Sequence, residues 1–142
     1  MRPVRLLLWS LVAWTVLVWT GRIRNVIGDG DLSLAGRISD LAVAAVFLGL
    51  AGLSVSVLLG GRGGVGTTRF VAVFCLWTIT FWAVRGTGIL FADHDLGFKA
   101  VHSVLALVSI GLAVALHRLD RDLGRSRSAD PGAEHGGGPE GR

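Results

Sequence analysis

Two tryptophan–threonine–arginine frames carry the most unusual chemistry in this chain: Trp14-Thr15 followed by Trp19 and Arg22, and Trp77-Thr78 followed by Trp82 and Arg85. The residue types recur at identical spacing, each time inside an otherwise apolar stretch. Near them stand Arg24, Asn25, Asp40, Lys99 and His102. A charge within a membrane-spanning run costs about 2.5–3.5 kcal/mol on insertion scales, so it is kept where it pairs or serves a ligand. Two chemistries fit the set. In the first, Arg22 pairs with Asp40 and Asp93 or Asp95 reaches Arg85, so that the helix ends are stapled. In the second, Arg22, Arg24, Asn25, Asp40, Arg85, Lys99 and His102 line a pocket for an anionic ligand or lipid headgroup, with His102 as its titratable member. Each tryptophan three positions ahead of an arginine shares its helical face and can cover the cation.

Other chemistries lack their residues. The only cysteine is Cys75, which excludes an internal disulfide or a dithiol relay. Among His94, His102, His117 and His135, no two fall on facing spans, so haem ligation has no pair. No Cys, His and acid spacing makes a zinc set, and no nucleophile–base constellation marks an enzyme. The loop from Gly60 to Thr68 resembles a phosphate-binding loop but lacks its lysine, and it joins two apolar runs rather than a strand and a soluble helix. We therefore expect no cofactor, no metal, no nucleotide and no nucleic acid as partner.

The elements that must position the frames follow from where charge is missing. Half of the 142 residues are hydrophobic (51%) and 17% are charged, yet Leu6–Thr20, Leu41–Leu59, Phe70–Val84 and Ala100–Leu116 contain no Asp, Glu, Lys or Arg. Helices of a soluble bundle keep one polar face, and these have none. The run after Arg2 and Arg5 ends in Val-Trp-Thr-Gly-Arg without a small-residue cleavage site, so it reads as a first span and not a signal peptide. The expected fold is all-α: a four-transmembrane-helix bundle with spans near 4–27, 38–59, 69–91 and 97–117. Helices 1 and 3 then run past Arg22 and Arg85, which puts Arg85 and His102 each about 9 Å in from a helix end. Residues 118–142, rich in Gly, Ser, Pro, Arg and acids, are expected to form a disordered cytoplasmic tail.

Charge sets the expected orientation. One side holds nine basic residues (Arg2, Arg5, Arg62, Arg69, Arg118, Arg121, Arg125, Arg127 and Arg142) and the other five (Arg22, Arg24, Arg37, Arg85 and Lys99). The positive-inside bias places both termini in the cytoplasm of a plasma-membrane protein. The outer five are balanced by Asp29, Asp31, Asp40, Asp93 and Asp95, so the net +4 lies inside.

The recurring frames, 63 residues apart, indicate duplication of a helical hairpin; the following helices match at an offset of 62, Asp40 aligning with His102 and Gly49-Leu50-Ala51 with Gly111-Leu112-Ala113. Two tandem copies, each of two spans, share orientation and are expected to be related by a pseudo-two-fold along the membrane normal. Small residues at Ala42, Ala45, Gly49, Gly52 and Ser56 line one face of helix 2, a surface expected to pack closely on another helix. His102, Ala106, Ser109 and Ala113 form a like stripe on helix 4, directing His102 to the bundle. Trp9 and Trp19, near the ends of their span, suit interfacial anchoring better than Trp14 and Trp77.

The size, the thirteen arginines against one lysine, and the tryptophan-rich segments ending in Arg-Ile-Arg-Asn and Val-Arg-Gly are similar to those of small four-span membrane proteins of high-GC actinobacteria. The resemblance covers the spans but not the tail, and implies no activity. The expected role is that of a non-enzymatic accessory bundle that binds bilayer lipid, another membrane protein or a second copy of itself. The rival is a small transporter or channel for an anionic solute, using the outer basic layer.

Overall fold

Four apolar runs separated by three polar breaks fold into four helices: α1 (Arg2–Gly28), α2 (Leu34–Leu59), α3 (Val65–Phe91) and α4 (Leu96–Ser128). The computed structural model describes residues 2–60, 65–93 and 95–128. Local caps set two of the starts. The Ser33 hydroxyl accepts the Gly36 N–H at 3.1 Å and begins α2 four residues ahead of the expected 38. Asp95 Oδ1 accepts the Phe98 N–H at 2.9 Å and begins α4. Arg37 thus lies within α2 and donates back to the Asp29 carbonyl at 2.8 Å, tying the first turn to the helix.

The expected tail starts too early. α4 continues beyond 117 to Ser128. Leu119 and Leu123 stay partly covered on the line of Leu112 and Leu116, and Asp122 faces Arg125 one turn on, at 3.9 Å. Helix-forming leucine and arginine outweigh the polarity that suggested disorder. The rest of the expected tail, 129–142, lies outside the described residues, as does 61–64 of the middle loop.

All four helices are long and apolar enough to cross a membrane, which makes this a multi-pass membrane protein. Their outward surfaces agree: Leu6, Leu53, Val84 and Leu107 are each more than half exposed, an apolar exterior that water would not tolerate but lipid solvates.

The all-α bundle is assembled from two hairpins, α1 with α2 and α3 with α4, which pack most extensively within themselves. Their burial registers coincide. α1 buries Leu8, Leu11, Val12, Thr15, Trp19 and Val26; 63 positions on, α3 buries Val71, Phe74, Cys75, Thr78, Trp82 and Ile89. α2 buries Ala44, Phe47, Ala51, Ser54 and Leu58; 62 positions on, α4 buries Ala106, Ser109, Ala113 and Leu116, with the fifth place taken by half-buried Asp120. The match holds where residue type has changed (Val12 to Cys75, Phe47 to Ser109, Ser54 to Leu116), so it reports geometry and not composition. Contacts between hairpins exchange in the same way. Trp14 of α1 donates to Ser109 of α4 at 2.9 Å, and the equivalent pair, Trp77 of α3 and Phe47 of α2, meets ring to ring at 6.2 Å. A two-fold swapping α1 with α3 and α2 with α4 requires that exchange.

Two expectations about faces are corrected. The small-residue stripe of α2 (Ala42, Ala45, Gly49, Gly52 and Ser56) is exposed along its whole length, and α2 instead turns Phe47 and Leu58 inward. The face that packs inward mixes small and large residues (Ala44, Phe47, Ala51, Ser54 and Leu58), and the all-small stripe is left outside. Trp19 is no interfacial anchor: it is only 6% exposed and stacks on Phe47 at 4.5 Å. The stripe of α4 does face inward, with Ala106, Ser109 and Ala113 buried and His102 half-buried.

Candidate functional site

Four side chains stand at one depth. Arg22 precedes the end of α1 at Gly28, Asp40 follows the start of α2 at Leu34, Arg85 precedes the end of α3 at Phe91, and His102 follows the start of α4 at Leu96, six positions in each case. At 1.5 Å per residue that is about 9 Å in from the end of the bundle that carries the two hairpin turns. The hairpin register makes Arg22 equivalent to Arg85 and Asp40 equivalent to His102.

The two halves of this layer are not alike. Arg22 donates to Asp40 Oδ2 at 2.7 Å, and both side chains are about three-quarters covered, at 29% and 25% exposure. This is the staple that the sequence suggested. Arg85 has no such partner: among the described residues its guanidinium meets no carboxylate, and the expected bridge from Asp93 or Asp95 is not formed. Asp95 is engaged in capping α4. His102 Nδ1 lies 2.9 Å from the Phe98 carbonyl, an atom that can only accept, so the proton is on Nδ1. The ring also lies against Phe98, with centroids 3.9 Å apart. Both contacts fix the imidazole and leave Nε2 for another partner.

The layer surrounds a cavity of about 620 Å³ between α1, α3 and α4, within the size range of small-molecule sites. Arg22, Asn25, Asp40, Arg85, Asp95 and His102 line it. Deeper in, the walls are apolar: Trp14, Leu17 and Val18 from α1, Phe81 and Trp82 from α3, Val101 and Leu105 from α4. Of the expected site residues, Arg24 and Lys99 do not reach the cavity; Arg24 is exposed and Lys99 half-buried.

Its position follows from where the two hairpins differ. On the α2–α3 side Phe47 meets Trp19, Phe81 and Trp77, at 4.5, 5.1 and 6.2 Å, and these rings fill the space and hold the helices apart. On the α1–α4 side the equivalents of Phe47 and Phe81 are Ser109 and Val18. Smaller side chains let α1 and α4 approach closely lower down and leave the space unfilled above.

The tryptophans do not cover their arginines as expected. Trp19 stacks on Phe47, and Trp82 meets Phe81 edge to face at 5.8 Å; both also line the cavity. Sequence reasoning missed the Trp14–Ser109 bond, although its signal was present: Ser109 lies on the inward stripe of α4 and Trp14 is too deep to be an anchor. It also missed Asp95 as a cap, which an acid just before an apolar run signals.

Comparison with protein-family models, with curated proteins and with solved structures gives no match to this chain.

Proposed function

We propose that this protein is a non-enzymatic membrane bundle that takes an anionic amphiphile from the bilayer into the cavity between α1, α3 and α4. The observation that carries this reading is Arg85: a guanidinium held about 9 Å inside a spanning helix, without an ion-pair partner among the described residues, at the polar end of an otherwise apolar cavity. A polar head at Arg85, Asn25 and His102 and an apolar body along Leu17, Val18, Val101 and Leu105 use both parts of the lining. The role is that of an accessory component of the cell membrane. The excess of basic residues at the opposite end supports an orientation with both termini in the cytoplasm and the cavity in the outer leaflet.

Lipid retained through purification tests this. Native mass spectrometry of the detergent-solubilised protein should show anionic lipid bound to the wild type and much less on Arg85→Ala. Equal retention by both would overturn the reading. Transport of a soluble anion is the rival, and it requires an aqueous path. In a Cys75→Ala background, Leu105→Cys, which lines the cavity and leaves Arg85 in place, should react poorly with a membrane-impermeant thiol reagent if the cavity is filled by lipid, and readily if it conducts water.

A further inference from the structure

The first hairpin contains its own example of what the second lacks. Arg22 and Arg85 are equivalent by register, by depth and by the tryptophan that precedes each, and the position that answers Arg22 with a carboxylate, Asp40, answers Arg85 with His102. We infer that the cavity binds a carboxylate, specifically the head of a single-chain fatty-acid anion, which takes at Arg85 the place that Asp40 takes at Arg22. The inference rests on the amphiphile-binding reading and narrows it.

Three observations select this ligand. Charge comes first. The groups facing the cavity are Arg22, Asp40, Arg85, Asp95 and His102. Arg22 is matched by Asp40; Asp95 keeps its charge, but its Oδ1 is held by the Phe98 N–H and forms no ion pair with Arg85, so Arg85 is the cation left without a contacting carboxylate among the described residues. A monoanion satisfies it; the dianion of a phosphate monoester would ask for more. Proton placement comes second. With Nδ1 donating to the Phe98 carbonyl, neutral His102 presents Nε2 as an acceptor, and its protonated form presents a donor. A carboxyl group is served either way, with one proton held between imidazole and carboxyl. A phosphodiester has no proton to share in this way. Shape is the third. The cavity, at about 620 Å³, continues from the polar layer between apolar walls from α1, α3 and α4. It suits one chain, and a two-chain lipid would leave most of its bulk outside.

Trp14, Trp19 and Trp82 line the cavity and supply the probe. Full-length protein in nanodiscs of zwitterionic lipid is titrated with brominated stearate, or with brominated phosphatidylglycerol, and tryptophan quenching is followed. Saturable quenching by the fatty acid is expected in the wild type. Its affinity should fall about tenfold or more in Arg85→Gln, which removes a charge-assisted hydrogen bond. His102→Asp should fall as far, because it turns the second hairpin into a copy of the first and fills the site from within. Circular dichroism and size exclusion establish which variants are folded; if His102→Asp is not, Arg85→Gln alone decides. Undiminished binding of the fatty acid by folded Arg85→Gln overturns the inference. Saturable binding of phosphatidylglycerol as tight as that of the fatty acid overturns it too, while leaving an amphiphile-binding protein. Saturable quenching by neither ligand removes both.

Discussion

The first hairpin is fastened at both ends, at each by a side chain whose equivalent in the second hairpin is of another type. At the end carrying the termini, Arg5 of α1 donates to the Leu58 carbonyl at 3.0 Å, satisfying a free acceptor in the last turn of α2. At the turn end Arg22 meets Asp40 at 2.7 Å. The equivalents in the second hairpin are Thr68 for Arg5, Arg85 for Arg22 and His102 for Asp40. Between the hairpins the division repeats: aromatic rings fill the α2–α3 side, and a cavity opens on the α1–α4 side. The two hairpins share one register of burial and differ in the polar layer, where Arg22 is paired with Asp40 and Arg85 meets no carboxylate among the described residues. Because the two hairpins share one register, each feature of the site has an internal control in the other.

The most damaging way to break the comparison is to remove the ring that fills the closed side. Phe47 is fully buried and contacts three other aromatic rings. Phe47→Ala should lower stability by about 3 kcal/mol or more through the void it leaves. Unfolding by a denaturing detergent, followed by circular dichroism, measures the loss. The corresponding change in the other half, Ser109→Ala, should cost far less. It removes only the acceptor of the Trp14 hydrogen bond, and such interhelical bonds average about 0.6 kcal/mol. Similar losses for the two variants would mean that the halves are not divided as described.

Next in size is the staple. Asp40→Asn leaves the Arg22 charge without its partner inside the bundle and should destabilise by about 1–3 kcal/mol, less than a fully buried pair because both groups keep some exposure. Adding Arg22→Gln to Asp40→Asn should recover part of that loss, since no charge is then stranded. The double-mutant cycle checks this directly, and a coupling near zero would show that the 2.7 Å contact contributes nothing.

Much of this division was legible in the residues, and the illegible parts have physical causes. The Trp-Thr-Trp-Arg frame revealed the duplication because tryptophan and arginine are rare inside spans, so their coincidence carries information that Leu, Ala and Gly matches do not. Opposite charges one hairpin apart at equal depth made the Arg22–Asp40 pair readable. Arg85 was harder. Asp93 and Asp95 lie near enough in sequence to pair with it, but a carboxylate just before a helix is competed for by the free N–H groups of the first turn, and at Asp95 the helix wins. The α2 stripe misled for a different reason. α2 carries small residues on two faces, and the one that packs inward is the one that adds Phe47 and Leu58 to Ala44, Ala51 and Ser54. Arg24 and Lys99 could not be excluded by depth alone; which side of a helix faces a cavity depends on packing angles that periodicity does not supply.

The smallest expected effect is also the most discriminating. Arg85→Gln should change stability by no more than about 0.5 kcal/mol, because nothing among the described residues depends on that charge. The equivalent Arg22→Gln strands Asp40 and should cost clearly more. Parallel detergent-unfolding curves of the two variants make the comparison, each variant serving as the other's reference for the shared effects of removing an arginine from this depth. If Arg85→Gln is as destabilising as Arg22→Gln, Arg85 has a structural anion in the membrane-embedded protein, and the second hairpin is closed after all. If it is neutral or slightly stabilising, the cost of keeping an uncompensated guanidinium within a spanning helix is being borne without structural return, which is the expected signature of a group retained for a ligand.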